Sequence, residues 1–255
     1  MKFLTRLAAA TALLAATALG AQAETVRIGT EGAYPPFNYF DADKNLQGFD
    51  IDIAKALCDK MKVECVFVAQ DWDGIIPALQ AKKYDAIIAS MSITPEREKV
   101  VAFTDKYYFT PARFVTAKEG GVTDTSPAGL KGKTIGAQSS TVSANYLEDV
   151  YKDSTIKLYP TQEEAYADIV AGRLDTILAD STLLYEWLEK TPDGKGYMFV
   201  GEEIRDPKYF GDGIGIAVRK DDTGLKDKFN KAIVEIRADG TYQKINAKYF
   251  PFSIY

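Results

Sequence analysis

Two segments of this chain, ninety residues apart, have nearly the same sequence. Residues 81–90 read AKKYDAIIAS and residues 171–180 read AGRLDTILAD. In each segment the end of a predicted helix leads into a short apolar strand. A polar residue ends that strand, Ser90 in the first segment and Asp180 in the second. Because each segment is one α/β unit, the chain is predicted to contain two similar halves.

A second pair of similar segments precedes the first pair in each half. Residues 27–31 read RIGTE and residues 134–138 read TIGAQ, again a strand that ends in a polar residue. Chance similarity of short α/β motifs is the alternative, but two pairs recur in the same order. Ligands of open α/β sheets bind beyond the carboxyl ends of the strands. Two facing halves would therefore form a cleft lined by Glu31, Ser90, Gln138 and Asp180.

The N-terminal segment has the features of a secretory signal peptide. Lys2 and Arg6 form a positively charged start, residues 7–19 form an apolar stretch too short to span a bilayer, and residues 21–23 (AQA) form a small-residue cleavage site. The mature chain is expected to begin near Glu24 and to reach the periplasm without inserting into the membrane. A retained N-terminal anchor, the alternative, would need a longer apolar run.

Charge and composition favour a binding protein for a small ligand. The formal net charge is −5 at pH 7, which does not suit nucleic acid or anionic lipid and is better matched to a cationic ligand. The chain has no histidine, which excludes Ser-His-Asp and Cys-His catalysis. Catalysis by carboxylates, Lys or Tyr stays open. No cofactor and no metal site are predicted.

The two cysteines, Cys58 and Cys65, both belong to the exported part of the chain. Because exported proteins meet an oxidising compartment, we expect a Cys58–Cys65 disulfide. The spacing is not C-x-x-C, which disfavours a redox role, and two thiols cannot complete a closed zinc site.

Strands that alternate with helices predict parallel sheets of the α/β class in both halves. Residues 48–61 form an amphipathic helix, in which Asp50 and Asp52 suit the positive end of the helix dipole. Strands are predicted over 86–90 and over 213–219, where the chain returns to the first half. The predicted organisation is a signal peptide over 1–23, a first lobe formed by 24–110 and 213–255, a second lobe formed by 111–212, and two crossovers between the lobes that act as a hinge.

Two polar segments are candidates for binding an anion. SMSITPEREK (90–99) offers hydroxyl groups after a strand, and Arg97 offers a planar fork for a carboxylate. SSTVSANYL (139–147) leads into a helix whose first N–H groups attract an anion. The alternatives are an arginine on a solvated helix face and a helix that is merely capped.

A second group of residues would bind a cation. Asp180 can accept from an ammonium group, although it can also cap the helix that begins at Ser181. Tyr34 and Trp72 offer aromatic faces for a flat or cationic group, with Glu31 placed to pair with a distal cation. Packing in the core is the alternative for both aromatic residues.

Taken together, these segments resemble the bacterial extracellular solute-binding proteins of family 3, the periplasmic receptors for polar amino acids. The resemblance covers essentially the whole mature chain. It is carried by GFDIDIAKALCDKM (48–61), DAIIASMSITPERE (85–98), LKGKTIGAQSSTVSANYL (130–147), AGRLDTILAD (171–180) and KYFGDGIGIAVRKDD (208–222). Within the family the chain is most similar to the lysine/arginine/ornithine-binding proteins, including the positions of both cysteines. The resemblance implies a type II periplasmic-binding-protein fold with two Rossmann-like lobes.

The resemblance also implies a role for each candidate residue. Arg97, with Ser92 and the backbone N–H of Val142, would bind the ligand carboxylate. Asp180, assisted by Ser90, would bind the α-ammonium group. Tyr34 and Trp72 would stack on the ligand side chain, and Glu31 would pair with its distal charge. The implied ligand contacts are Glu31, Tyr34, Trp72, Ala89, Ser90, Met91, Ser92, Arg97, Gln138, Thr141, Val142, Ser143 and Asp180.

Four positions depart from the family's pattern for cationic amino acids. Glu31 stands where Asp is usual, Trp72 stands where Phe is usual, and Ala89 and Gln138 also differ. Glu and Trp at the first two positions also occur in opine-binding relatives. An opine has a substituted α-nitrogen, whereas a carboxylate such as Asp180 suits a free ammonium group.

The sequence therefore predicts a monomeric receptor that closes on a cationic L-amino acid and delivers it to an ABC permease. Arginine is the favoured ligand, with lysine, ornithine and histidine as further candidates. Three alternatives stay open: an opine receptor, a dehydratase-type enzyme on the same scaffold, and a sensor domain.

Overall fold

The computed structural model of the protein describes residues 24–255, so the predicted signal peptide lies outside the described residues. The strands are β1 (Thr25–Thr30), β2 (Ala33–Tyr34), β3 (Asn38–Phe40), β4 (Leu46–Gln47), β5 (Glu64–Ala69), β6 (Ala86–Ile87), β7 (Ala102–Phe103), β8 (Ala112–Ala117), β9 (Thr134–Gln138), β10 (Thr155–Tyr159), β11 (Thr176–Asp180), β12 (Tyr197–Ile204) and β13 (Ala217–Val218). The helices are α1 (Phe49–Met61), α2 (Ile75–Gln80), α3 (Pro95–Glu98), α4 (Val142–Val150), α5 (Gln162–Val170), α6 (Ser181–Lys190), α7 (Pro207–Phe210), α8 (Thr223–Ala238) and α9 (Thr241–Tyr249), with 3-10 turns at Trp72–Gly74 and Asp193–Gly196.

The strands form two five-stranded sheets with matching topology. The order is β5-β1-β6-β13-β7 in the first sheet and β10-β9-β11-β8-β12 in the second. In each sheet the second strand in this order is parallel to both of its neighbours, and an antiparallel strand follows the third. The repeated sequence segments occupy equivalent places, since RIGTE covers the end of β1, TIGAQ forms β9, AIIAS contains β6 and TILAD forms β11. The predicted two-lobed α/β fold is confirmed.

The helices cover the sheets through their apolar faces. Phe49, Ile53 and Leu57 recur at helical spacing along α1 and are fully buried. This face packs against α8 and α9, so the C-terminal part of the chain returns to the first sheet. Along β11 every residue is buried, as expected for a central strand covered on both faces.

Two predicted strands are shorter than expected. Residues 86–90 were predicted as one strand, but β6 ends at Ile87 and Ser90 has a left-handed backbone (φ 54) that turns the chain out of the sheet. The predicted strand over 213–219 contributes only Ala217–Val218 to the sheet.

Two segments cross between the sheets and are bonded to each other. The amide of Tyr107 donates to the Ile214 carbonyl, and the amide of Ile214 donates to the Tyr108 carbonyl, both at 2.9 Å. Because a pair of adjacent extended segments bends more easily than a packed core, these crossovers form a two-strand hinge.

Cys58 and Cys65 form a disulfide that joins α1 to β5. Replacing both cysteines by alanine is expected to lower the free energy of unfolding by about 2–3 kcal/mol, because the bond restricts the unfolded chain. Denaturant unfolding with and without reductant measures this. Reduction should destabilise the wild-type protein by a similar amount and leave the double variant unchanged; equal stability of the oxidised and reduced wild type would contradict the prediction.

Candidate ligand-binding cleft

The carboxyl ends of the central strands of both sheets face one cavity between the two halves. The residues that line it are Glu31, Tyr34, Trp72, Ala89, Ser90, Ser92, Arg97, Gln138, Thr141, Val142, Ser143, Gln162, Leu178, Ala179 and Asp180. The cavity thus brings together all the predicted site residues except Met91; their roles in binding stay predictions.

Met91 does not line the cavity. Its side chain is fully buried among the apolar residues of the first sheet, beside Ala89 and Tyr84. Ser90 and Ser92 on either side of Met91 do line the cavity. The Met91 side chain thus lies in the core of the first half, and its predicted contact with the ligand stays a prediction.

Asp180 faces the cavity from the end of β11. Its carboxylate accepts a hydrogen bond of 2.8 Å from the Tyr34 hydroxyl, which belongs to the other half of the molecule. Asp180 occupies the position before α6, but its side chain makes no capping hydrogen bond there. Burial raises the pKa of Asp180 to about 7, although the Tyr34 hydrogen bond and the Arg97 charge act in the opposite direction.

Glu31 follows β1 at the corresponding place in the first sheet. The Nε2 of Gln138, at the end of β9, donates to Glu31 Oε1 at 2.5 Å and also to the Pro160 carbonyl at 3.1 Å. Burial raises the pKa of Glu31 to about 7, against the effect of the Gln138 hydrogen bond. The two equivalent strand ends therefore meet across the cleft through one charged hydrogen bond.

Arg97 approaches the cavity from the short helix α3, whose first turn is capped by the Thr94 hydroxyl. The guanidinium donates to the carbonyl of Ser92 at 3.2 Å and to that of Ser140 at 3.4 Å, and lies 5.3 Å from the centre of the Trp72 ring. Desolvation lowers the pKa of Arg97 to about 10, so the side chain stays cationic at neutral pH. The bonds to Ser92 and Ser140 fix its direction. The alternative, an arginine on a solvated helix face, is therefore not what the structure shows.

The start of α4 faces the cavity from the other half. The Thr141 hydroxyl caps this helix by accepting from Ala144 N at 3.1 Å, and it donates to the Gln138 carbonyl at 2.7 Å. The first N–H groups of a helix have no partner within the helix, and those of Val142 and Ser143 belong to this turn. The turn can therefore receive an anion together with Arg97.

Further hydrogen bonds join the two halves around the mouth of the cavity. Trp72 Nε1 donates to the Ser140 carbonyl at 3.1 Å, and the Ser139 hydroxyl donates to the carboxylate oxygens of Asp73 at 3.0 and 3.2 Å. Together with the Tyr34–Asp180 and Gln138–Glu31 hydrogen bonds, they connect the two halves across the cleft. The cleft is therefore closed in this structure.

Asp50, the first acidic residue of α1, has a different environment from the one its position in the helix suggests. It is fully buried and accepts hydrogen bonds from Tyr107 at 2.7 Å and from Asn38 and Ser90 at 3.0 Å each. Burial raises its pKa to about 6, while these three donors act against that shift. Asp50 thereby connects the cavity residue Ser90 to Tyr107 in the hinge.

Sequence reasoning missed three lining residues: Gln162, Leu178 and Ala179. Leu178 and Ala179 precede Asp180 on β11. Because Asp180 was predicted to lie at the cleft, the sequence could also have placed these two neighbours there. For Gln162 the only signal was its place at a helix start after Thr161, which many surface helices share.

A two-lobed α/β fold with a closed cavity between its lobes is typical of solute-binding proteins. The family model of the bacterial extracellular solute-binding proteins, family 3, matches residues 26–252. The chain belongs to this family.

Relatives of known name and structure cover nearly the whole chain. An L-arginine-binding protein of Pseudomonas aeruginosa is 50% identical over 232 residues, which is 90% of this chain and 89% of that protein. A lysine/arginine/ornithine-binding periplasmic protein of Escherichia coli is 43% identical over 94% of this chain and 93% of its own length. A Salmonella typhimurium periplasmic binding protein, described for its high arginine specificity, has a TM-score of 0.82 at 38% identity and covers 89% of this chain and 100% of that structure.

These relatives are binding proteins rather than enzymes, which agrees with the expectation drawn from the absence of histidine. No helix within residues 24–255 is both long and apolar enough to cross a bilayer. Over the same residues no cluster of three or more His, Cys, Asp or Glu side chains suits a metal ion.

Carbon-13 NMR of the side-chain carboxyl groups is expected to show Glu31 and Asp180 titrating near pH 7 where the cleft is closed without ligand, because burial raises both pKa values. The closed empty cleft should then be most stable when both acids are protonated, near pH 4, and should lose stability as the pH rises to 7. Asp168, whose pKa the bond from Arg173 lowers to about 2, is the internal control. Titration of both cleft acids near pH 4 would show an open cleft in the unliganded protein.

Proposed function

We propose that this protein is the periplasmic receptor of an ABC importer and that it closes around a cationic L-amino acid, with arginine as the preferred ligand. The charge balance of the cavity carries this proposal. Of the residues that line it, Glu31 and Asp180 are acidic and Arg97 alone is basic. A ligand with two cationic groups and one carboxylate would neutralise all three. Arginine, lysine and ornithine have these groups, whereas a neutral amino acid lacks the second cation.

Arg97 and the start of α4 form the end that receives the ligand carboxylate. A guanidinium can bind a carboxylate through two parallel hydrogen bonds, and the N–H groups of Val142 and Ser143 offer further donors. These groups come from opposite halves of the molecule. A carboxylate between them would be bound only when the cleft closes.

Asp180 is the partner for the α-ammonium group. It already accepts from Tyr34, and a carboxylate has two oxygens with room for further donors. Ser90 lines the same cavity and can add an acceptor. An opine, whose α-nitrogen is substituted, offers fewer N–H donors to this carboxylate, which favours a free amino acid.

Glu31 and Trp72 form the end that receives the ligand side chain. A guanidinium paired with Glu31 gains a charge-assisted hydrogen bond, and the faces of Trp72 and Tyr34 attract a cation by about 0.5–2 kcal/mol. The α-ammonium group of the ligand would thus bind at Asp180, and the cationic group of its side chain would bind at Glu31.

The proposed mechanism is a shift from an open to a closed cleft. We assign residues 24–110 and 213–255 to the first lobe and residues 111–212 to the second, since the strands of each sheet fall within these ranges. Burying Glu31 and Asp180 without a partner is unfavourable at neutral pH, as their raised pKa values indicate. A ligand with matching charges would remove this penalty and stabilise closure.

The names of the relatives support the same assignment. Both the P. aeruginosa and the E. coli proteins are named for arginine binding, and the E. coli protein is named periplasmic. We propose that this protein is likewise exported by a cleaved signal peptide, acts as a monomer and delivers its ligand to an ABC permease.

Calorimetric titration of the purified protein with arginine, lysine, ornithine, histidine, glutamine and one opine tests the proposed function. Arginine should bind most tightly, and glutamine, which lacks the distal charge, much more weakly. Tightest binding of the opine would identify an opine receptor, and chemical conversion of any ligand would identify an enzyme. Absence of binding to every cationic amino acid would contradict the proposal.

Asp180→Asn is expected to weaken arginine binding at least about tenfold, because removing one partner of a buried charge pair costs several kcal/mol. Asp52→Asn is the matched control. Asp52 bonds to Lys248 and Tyr249, away from the cavity, so arginine affinity should not change. Unchanged arginine binding by Asp180→Asn would remove Asp180 from the site.

A further inference from the structure

Gln162 lines the cavity, and the structure shows no role for its side chain in holding the fold together. It is the first residue of α5, after Thr161, whose hydroxyl caps the helix by accepting from Glu164 N. The Gln162 side chain is 1% exposed and lines the cavity. A polar side chain this deeply buried normally has hydrogen-bond partners.

The amide nitrogen of Gln162 has no such partner. Its Nε2 is buried, and no residue from 24 to 255 accepts a hydrogen bond from it. An unpartnered buried donor destabilises a folded protein. An apolar side chain of similar size would avoid this cost, so an amide at this position implies a use for at least one of its two polar atoms.

Gln162 belongs to the part of the cavity that contains Glu31. Gln138 bonds through Nε2 both to Glu31 and to the carbonyl of Pro160, which is two residues before Gln162. In addition, α5 packs against β2, the strand that begins two residues after Glu31. The start of α5 thus adjoins the Glu31–Gln138 pair, where the ligand side chain is proposed to bind.

The neighbouring Tyr166 hydroxyl indicates how the Gln162 amide can be oriented. Tyr166 lies one helical turn along α5, and its hydroxyl is also buried without a partner among the described residues. The two residues lie four positions apart on one face of the helix, and the Gln162 amide acts against the rise that burial causes in the pKa of the Tyr166 phenol. If Nε2 donates to the Tyr166 oxygen, both groups are satisfied and Gln162 Oε1 is left as an acceptor for a ligand.

From this geometry we infer that Gln162 binds the distal group of the ligand and gives the cavity a preference for a guanidinium over an ammonium group. The inference rests on the proposed function and deepens it. A guanidinium spreads five N–H donors around a plane and can reach Glu31 and Gln162 from different edges. An ammonium group gathers three donors around one atom and binds Glu31 without needing the second acceptor.

Calorimetric titration of Gln162→Met with arginine and with lysine tests the inference. Methionine keeps the approximate size and removes the acceptor. Arginine affinity should fall about tenfold, as expected for a hydrogen bond to a charged donor, and lysine affinity less than about threefold. Gln162→Asn, which keeps the amide but shortens its reach, should also reduce the preference for arginine, and it serves if Gln162→Met does not fold.

Glu31→Gln is the contrasting variant, because loss of the charge should weaken arginine and lysine alike. Equal changes for the two ligands in Gln162→Met, no change for either, or a wild-type protein that binds lysine as tightly as arginine would each overturn the inference while the proposed function stands. A wild-type protein that binds neither ligand would overturn both.

Discussion

The structure depends on two carboxylates, Glu31 and Asp180, that are buried in one cavity with a single guanidinium. The acid groups have pKa values raised to about 7 by burial, so the closed cleft favours their neutral forms. A soluble protein without a use for such groups would place apolar residues there, since buried charges rarely stabilise a fold more than apolar packing does. Burying the two ionised carboxylates is unfavourable, so closure depends on the ligand. Only a molecule that supplies the missing positive charge stabilises both carboxylates in their ionised form.

The matching topology of the two sheets explains why these charges meet. β1 and β9 occupy the same place in the two sheets, as do β6 and β11, and the residues after or at their ends are Glu31, Gln138, Ser90 and Asp180. When two such sheets face each other, their strand ends face each other as well, and the Glu31–Gln138 hydrogen bond joins one equivalent pair. The duplication of a simple α/β unit thus produces a cleft whose two walls have similar backbones and different side chains.

Much of this architecture could be predicted because local sequence determines strand ends and helix starts. The repeats predicted the sheets, and polar residues after apolar strands predicted the cleft. The sequence could not show where a side chain turns once the regular strand ends. Met91 follows the left-handed Ser90 and points into the core, and Asp50 looks like an exposed first-turn acid but is the acceptor of a buried network. Gln162 was missed because its place in the cavity arises from contacts between parts of the chain that are distant in sequence.

Each charged group proposed for the ligand would be shared between the lobes. Arg97 of the first lobe and the start of α4 in the second flank the place of the carboxylate. Asp180 of the second lobe, with Tyr34 of the first, flanks that of the ammonium group. Glu31 of the first, with Gln138 and Gln162 of the second, flanks that of the side chain. Neither lobe alone offers a complete partner for any of these groups, so binding and closure become one event, and a ligand that lacks one charge leaves a buried group in each lobe without its partner.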